Sequence, residues 1–227
     1  MRVGIVGGTF DPIHKGHIML GQEAYLAWNL DEIWFLPNGN PPHKDTKAVI
    51  SKLHRRIEMI QIAIGNTPQF KVSLLEAMEG IHSYTYRTLE HLRTSFPEYE
   101  FYFIMGADSL FTIEKWMRFR EIFPQCTILA AFRDDKRLSE MKTQIDYLVK
   151  NYEAKIELLI TPLIEISSSA IRRAVAIGED VSSLVPEGVW NYIQEQRLYT
   201  DIQDHTDIHK QTDIHKQTDI HKQTDIQ

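Results

Sequence analysis

Two histidines stand three residues apart just after a pair of glycines, in the stretch GIVGGTFDPIHKGH at residues 4–17. The apolar residues before the glycines predict a buried strand, and we expect a helix to begin near Gly16 or His17. The start of a helix offers unpaired N–H groups and a positive dipole end to an anion. Because His14 and His17 lie at most one helical turn apart, both imidazoles can face the same phosphate. The stretch therefore predicts a phosphate clamp.

The glycine pair is expected to let the backbone approach a ligand closely. Gly7 and Gly8 are also expected to adopt dihedral angles that other residues avoid. The pair is not a dinucleotide-binding fingerprint, which needs G-x-G-x-x-G, and the G-K-[ST] of a P-loop is absent. A metal-dependent hydrolase that uses His14, His17 and Asp11 is an alternative, although no later Cys or His has convincing zinc-ligand spacing.

A second motif, ISSSAIR at residues 166–172, carries related chemistry far along the chain. Three hydroxyls at the expected start of a helix, followed by an arginine, can present O–H, N–H and guanidinium donors to one phosphate. Helix capping alone is the other interpretation of the serines. Two distant motifs with matching chemistry favour a shared phosphate site.

Three loops between these motifs carry residues that suit a second ligand. PNGNPPHK at residues 37–44 ends in a histidine and a lysine that can reach an anion, although a solvated loop is the simpler interpretation. SYTYRTL at residues 83–89 sets hydroxyls beside aromatic rings at a helix start. In GADSLFTIEKW, residues 106–116, Asp108 can bond a ribose hydroxyl, and Trp116 can stack on a flat ring or belong to the core.

The elements that must position these residues follow from the hydrophobic pattern. Strand and helix patterns alternate through most of the chain, which predicts a Rossmann-like doubly wound α/β sheet with a C-terminal helical portion. The strand runs are continuously apolar, as in parallel strands buried on both faces. Ligands of such sheets bind at the carboxyl ends of the strands, where the first motif lies. The six predicted strands are Val3–Val6, Ile33–Leu36, Phe70–Leu74, Phe101–Met105, Thr127–Phe132 and Ile156–Ile160.

The end of the chain divides into a helical part and a repeat. Residues 167–169 can cap a helix that Gly178 closes, and Pro186 is expected in the first turn of a last helix. We expect residues 1–200 to form the domain. From Thr206 the hexapeptide TDIHKQ repeats with one apolar residue per copy, so residues 201–227 are expected to be a disordered tail. Weak metal binding by its recurring histidines, or a role in assembly, is the alternative.

Composition limits the environment and the partners. The chain has 227 residues, of which 43% are apolar, a single cysteine, Cys126, and a net charge of −6. One cysteine allows no disulfide within the chain, which favours the reducing cytoplasm. No apolar run approaches the roughly 20 residues of a membrane span, and the first residues do not resemble a secretory signal. The acidic balance argues against general nucleic-acid binding, and the sequence leaves a homo-oligomer open.

The run T-F-D-P-I-H-K-G-H resembles the H-x-G-H class of nucleotidylyltransferases, and I-S-S-S-A-I-R resembles the I-S-S-T-x-I-R of the same class. The resemblance implies a Rossmann-like fold and the transfer of a nucleotidyl group from a nucleoside triphosphate without a covalent enzyme intermediate. It implies that His14 and His17 are catalytic, because they would stabilise the transition state. The ATP-binding residues that it implies are Gly7, Gly8, Thr9, Phe10, His14, His17, Gly106, Asp108, Ile166, Ser168, Ser169 and Arg172.

The middle loops, with their PPHK, SYTYRTL and GADSLFTIEKW elements, resemble those of bacterial nicotinate-nucleotide adenylyltransferases over about residues 1–199. The resemblance implies adenylyl transfer from ATP to nicotinate mononucleotide, with Mg²⁺ carried by the ATP phosphates and no protein metal ligands. The alternatives are another acceptor, either nicotinamide mononucleotide or phosphopantetheine, and a non-catalytic nucleotide-binding module. The acceptor-binding residues that the resemblance implies are Lys44, Arg55, Thr85, Trp116 and Arg133.

Overall fold

A parallel sheet of six strands forms the centre of the molecule. The computed structural model describes residues 1–39, 50–65, 67–77, 83–132, 138–162 and 166–200. The strand order is β3-β2-β1-β4-β5-β6, and every neighbouring pair is parallel. The strands are β1 (Arg2–Gly8), β2 (Glu32–Pro37), β3 (Phe70–Val72), β4 (Glu100–Gly106), β5 (Thr127–Phe132) and β6 (Ile156–Ile160). This confirms the predicted Rossmann-like doubly wound fold.

Helices cover both faces of the sheet. Those in the described residues are α1 (Lys15–Ala27), α2 (Leu53–Ile64), α3 (Thr85–Ser95), α4 (Ala107–Phe111), α5 (Leu138–Tyr152), α6 (Ser168–Ala176) and α7 (Glu187–Glu195). The buried side chains of α1, α2, α6 and α7 belong to one hydrophobic cluster, and those of α3, α4 and α5 belong to the other. None of the helices in the described ranges is long and apolar enough to cross a membrane.

The continuously apolar strands contribute to both clusters because their side chains alternate between the two faces. In β4, Tyr102 and Ile104 pack with α1 and α2, whereas Phe101, Phe103 and Met105 pack on the opposite side. All six strands lie where the apolar runs predict them. The third is shorter than predicted, because it lies at the edge of the sheet and the chain leaves the ladder after Val72.

Two predicted helix starts are displaced. Helix α1 begins at Lys15, with His14 as its N-cap residue, so the first histidine precedes the helix. Pro186 is the N-cap of α7 and does not lie in its first turn. The predicted capping of α6 is confirmed, because the side chain of Ser167 accepts a hydrogen bond from the N–H of Ala170, and Gly178 lies beyond the helix end at a φ of 78°. The predicted tail, residues 201–227, lies outside the described residues.

Candidate active site

Strands β1 and β4 both end in glycine, and they lie where the order of the strands across the sheet changes direction. Strand β1 pairs with β2 on one side and β4 on the other, and it ends at Gly8, while β4 ends at Gly106. Crossovers that diverge from such a point leave a crevice at the carboxyl ends of the strands. Two cavities open there, and both are lined by Gly7, Gly8 and Thr9.

The first of them, the histidine cavity, has a volume of about 650 Å³. It brings the two distant motifs together, since the loop after β1 and the start of α6 form its opposite sides. Every predicted ATP-binding residue except Asp108 lines it. These residues are Gly7, Gly8, Thr9, Phe10, His14, His17, Gly106, Ile166, Ser168, Ser169 and Arg172.

The two histidines form one unit at the start of α1. Their rings stack with centroids 3.7 Å apart and planes 26° apart. The backbone N–H of His14 donates to Nδ1 of His17 over 3.3 Å, and the edge of Phe10 packs on the His17 ring. Because Nδ1 of His17 accepts from the main chain, a neutral His17 carries its proton on Nε2. The imidazole can therefore act as a donor in the histidine cavity.

Glycine at position 16 avoids a close contact with the first histidine. A Cβ atom at Gly16 would lie 3.1 Å from Nδ1 of His14, closer than an ordinary van der Waals contact. The predicted dihedral angles of Gly7 and Gly8 need correction, because both residues end a regular strand and neither has a positive φ. Gly8 instead leaves room for the ring of Phe10, which would lie 2.9 Å from an added Cβ. The left-handed residue of this loop is Phe10 itself, with a φ of 51°.

A buried arginine that the motifs did not reveal supports the same loop. Arg56 of α2 is 1% exposed. Its Nη1 donates to the carbonyl oxygens of Thr9 and Asn38 over 2.7 and 2.8 Å, and its Nε donates to that of Ser51 over 3.3 Å. The guanidinium thus joins the loop after β1, the loop after β2 and the start of α2. The sequence alone does not indicate which of the adjacent residues Arg55 and Arg56 is buried.

Both carboxylate oxygens of Asp11 accept hydrogen bonds from other parts of the chain. Its Oδ2 accepts from the N–H groups of Ile50 and Ser51 over 2.8 and 3.2 Å, and its Oδ1 accepts from the hydroxyl of Tyr199 over 2.7 Å. Within the described residues no group of three or more His, Cys, Asp or Glu side chains could hold a metal ion. The carboxylate that the hydrolase alternative requires beside His14 and His17 is therefore committed to other donors.

The ISSSAIR motif contacts the first motif directly. The hydroxyl of Ser168 donates to the carbonyl oxygen of Pro12 over 2.9 Å, and Nη1 of Arg172 donates to that of Asp11 over 2.6 Å. Ser167 caps the helix, and all three serines line the cavity. The capping and the phosphate-site interpretations are therefore compatible, and Ser167 fits both.

The second cavity, the tryptophan cavity, has a volume of about 500 Å³ and contains the predicted Thr85 and Trp116. Two charged residues in its lining were not predicted, Lys115 and Glu76. The hydroxyl of Thr88 donates to Oε1 of Glu76 over 2.6 Å. Burial raises the pKa of the Glu76 carboxyl above its usual range, while the hydrogen bond from Thr88 opposes the rise.

Two predicted site residues that the structure describes, Asp108 and Arg55, do not line these cavities. Asp108 lies exposed in the first turn of α4 and lines neither of them. Arg55 lies against α7, where its Nη1 donates to the hydroxyl of Tyr192 over 2.9 Å and lies 3.7 Å from Glu58. Its proximity to α7 was not readable from the helical pattern. Lys44 and Arg133 lie outside the described residues.

Comparisons with known proteins agree with this geometry. Residues 5–174 match the model of the cytidylyltransferase-like family. A probable nicotinate-nucleotide adenylyltransferase of Lachnoclostridium phytofermentans is 43% identical over 198 residues, which cover 87% of this chain and 98% of the relative. Another from Clostridium kluyveri is 40% identical, with 88% and 99% covered. The fold is also similar to that of Plasmodium falciparum nicotinic acid mononucleotide adenylyltransferase complexed with NaAD, with a TM-score of 0.71, 24% identity and 87% and 97% of the two chains covered.

Replacing the buried arginine with lysine should destabilise the fold. In R56K an ammonium cannot reproduce the fork that serves three carbonyl oxygens, so we expect the free energy of unfolding to fall by about 2 kcal/mol. The neighbouring, half-buried Arg55 supplies the control R55K, for which we expect about 0.5 kcal/mol or less. Urea denaturation measures both, and equal losses would contradict the role given to Arg56.

The raised pKa of Glu76 predicts a pH-dependent change in stability. The folded state binds this proton more tightly than the unfolded state, so ionisation of Glu76 destabilises the fold as the pH rises above the ordinary glutamate value. We expect the stability of E76Q, relative to the wild type, to increase between about pH 4 and pH 8. Denaturation curves across this range measure the difference, with E90Q on the exposed side of α3 as the comparison. A difference that decreases with pH would contradict the burial effect.

Proposed function

Because the chain belongs to the cytidylyltransferase-like family and, within it, to the nicotinate-nucleotide adenylyltransferases, we propose that it transfers the adenylyl group of ATP to nicotinate mononucleotide. The products are deamido-NAD and pyrophosphate, and the reaction belongs to NAD biosynthesis. Two motifs that a nucleotide-binding module without activity would not need, H-x-G-H and I-S-S-x-x-I-R, are both intact. This favours an enzyme over a non-catalytic module.

The observation that carries the proposal is that the two cavities are adjacent and share part of their lining. Each cavity lies within the size range of a small-molecule site, and both are lined by Gly7, Gly8 and Thr9. Gly7 has no heavy atom closer than 3.8 Å to the position of a Cβ, so a phosphate can approach the backbone there. With ATP in the histidine cavity and the mononucleotide in the tryptophan cavity, the reacting phosphates would meet beside these three shared residues.

The chemical step that we propose is direct in-line displacement. An oxygen of the mononucleotide phosphate attacks the α-phosphorus of ATP, a new P–O bond forms, and the bond to the β-phosphate oxygen breaks with release of pyrophosphate. The attacking phosphate is already an anion, so no side chain has to remove a proton. The contribution of the protein is positioning and stabilisation of the charge on the transition state.

Donors on both sides of the histidine cavity are assigned to the triphosphate. His14, His17 and the N-terminal amides of α1 would hold the α- and β-phosphates. Ser168, Ser169 and Arg172 would hold the departing pyrophosphate, and the contact of Arg172 with Asp11 supports a fixed position for its guanidinium. Thr9, Phe10, Gly106 and Ile166 complete the lining of the ATP site.

The acceptor site that we propose is the tryptophan cavity. Thr85 and the main chain near Trp116 would hold the pyridine carboxylate, while the indole stacks on the ring. Lys115 adds a cation to the lining of this cavity. Lys44 and Arg133 stay proposals for anionic groups of the substrates. Arg55 and Asp108 have weaker support, because neither lines a cavity.

Mg²⁺ is proposed to arrive with ATP. The described residues contain no cluster of acidic or histidine ligands for a resident metal, so the triphosphate oxygens would bind the ion. When bound, Mg²⁺ neutralises part of the triphosphate charge. The protein donors named above then act on the remaining phosphate oxygens.

The organisation of the chain and its location are proposed on simpler grounds. The catalytic domain would comprise residues 1–200, with the TDIHKQ repeat of residues 201–227 as a disordered tail. The single cysteine is buried, and burial raises the pKa of its thiol to about 12. A protein with no capacity for internal disulfides suits the reducing cytoplasm, where we propose that it acts.

A pyrophosphate-release assay with ATP and a panel of acceptors tests the proposed function. We expect turnover with nicotinate mononucleotide at least about 10-fold above that with nicotinamide mononucleotide, because main-chain N–H donors near Trp116 bind a carboxylate more strongly than a neutral amide, by more than about 1 kcal/mol. Phosphopantetheine is expected to give no product. Equal rates with the two mononucleotides would contradict the acid preference, and no reaction with any acceptor would overturn the assignment.

The role of the histidines is tested in the same assay. We expect H17A to lower kcat by about 100-fold or more, as the loss of other transition-state donors does. The exposed His91 on α3 lines neither cavity and supplies the control H91A, for which wild-type turnover is expected. A fully active H17A would remove His17 from the mechanism.

A further inference from the structure

The loop that carries the two histidines is attached to the end of the domain through one buried hydrogen bond. The hydroxyl of Tyr199 donates to Oδ1 of Asp11 over 2.7 Å, across 188 residues of sequence. Both side chains are buried, with 4% and 1% exposed. Asp11 lies three residues before His14, the N-cap of α1, so this hydrogen bond fixes the chain close to the start of that helix.

Tyr199 is held in this position against the ordinary preference of the backbone. Its φ of 68° lies in the left-handed region, which is uncommon for residues other than glycine. Burial, and then the charge of Asp11, raise the pKa of the Tyr199 hydroxyl well above its usual range, so the group stays a donor. Its ring packs in the same hydrophobic cluster as α1 and α2. Packing and hydrogen bonding are thus separable, because phenylalanine keeps the ring and removes only the hydroxyl.

Two other side chains bind the main chain of this loop. Arg172 and Ser168 donate to the carbonyl oxygens of Asp11 and Pro12. The Asp11 side chain is attached on its other oxygen to the N–H groups of Ile50 and Ser51. Among the described residues, Tyr199 is thus the side-chain donor that fixes the Asp11 carboxylate from the C-terminal end of the domain.

We propose that Tyr199 is a positioning residue for adenylyl transfer, acting through Asp11 to hold the turn that presents His14 and His17 to the triphosphate. This inference rests on the proposed function. A hydroxyl that orients the loop has no contact with the tryptophan cavity, since neither Tyr199 nor Asp11 lines it. The role therefore concerns the ATP side of the reaction and leaves acceptor binding unaffected.

The variant Y199F, in the full chain, tests the proposal. A misplaced histidine pair should lower kcat by about 10-fold, within the range that misplaced catalytic groups produce. We expect the KM for nicotinate mononucleotide to stay within about 2-fold of the wild type, because none of residues 10–14 lines the tryptophan cavity. The control is Y192F, which removes a tyrosine hydroxyl that bonds Glu58 and Arg55 outside both cavities. If Y199F keeps the kcat of Y192F, the proposal is wrong.

Coupling between the two side chains is measured with D11N and the double variant. If Tyr199 acts through Asp11, the double variant loses no more activity than D11N alone. Multiplied losses would show that Tyr199 acts independently and would overturn the proposed route. All rates are taken well below the melting midpoint of each variant, so a general loss of fold does not imitate the effect.

A second measurement separates this inference from the proposed function. Amide hydrogen exchange of residues 9–18 should be faster in Y199F than in the wild type and in Y192F, whether or not the assay detects turnover. If the wild type releases no pyrophosphate, the proposed function fails while the exchange result still decides whether Tyr199 holds the turn. Unchanged exchange in Y199F would overturn the positioning role.

Discussion

The loop after β1 runs through the interior of the protein, and its buried peptide groups need hydrogen-bond partners that water cannot supply. Leaving such a group unsatisfied costs about 1–3 kcal/mol. Here the donors are side chains: Arg56 serves Thr9, Arg172 serves Asp11, and Ser168 serves Pro12. They come from α2 and α6, which are distant from β1 in sequence. The conformation of the catalytic turn is therefore a property of the assembled domain and cannot be fixed by residues 4–17 alone.

A rigid turn suits a reaction in which the protein contributes little covalent chemistry. Displacement at phosphorus depends on donors that already point to the place where charge develops, since rearranging them during the reaction would consume the stabilisation they provide. The stacked histidines, with the main-chain contact to Nδ1 of His17, are such a prearranged pair. Gly16 keeps the space beside His14 open. The absence of a P-loop lysine is compatible with this arrangement, because two imidazoles and the guanidinium of Arg172 line the same cavity.

The fold and most residues of the histidine cavity could be predicted from the sequence, because both depend on local patterns. Continuous apolar runs identify strands that are buried on two faces, and hydroxyls before an arginine identify a helix start. The prediction of site residues failed where tertiary packing determines which of two adjacent, chemically equivalent residues is buried. Arg55 and Arg56 are adjacent on α2, and only the angular position of the helix against the sheet decides that Arg56 is buried. Glu76 was missed for a similar reason, because its partner Thr88 belongs to a different element.

The expectation that Gly7 and Gly8 adopt unusual backbone angles failed for another physical reason. A glycine is informative either through its backbone angles or through the space that its missing side chain leaves, and sequence does not distinguish the two. Gly8 serves the second purpose, and the strained angle belongs to Phe10, whose ring fills that space. Phe10 in turn packs edge-on against His17. The positive φ of Phe10 and the space beside Gly8 thus belong to the same packing arrangement. As a result the His17 ring has two aromatic neighbours, Phe10 and the stacked ring of His14.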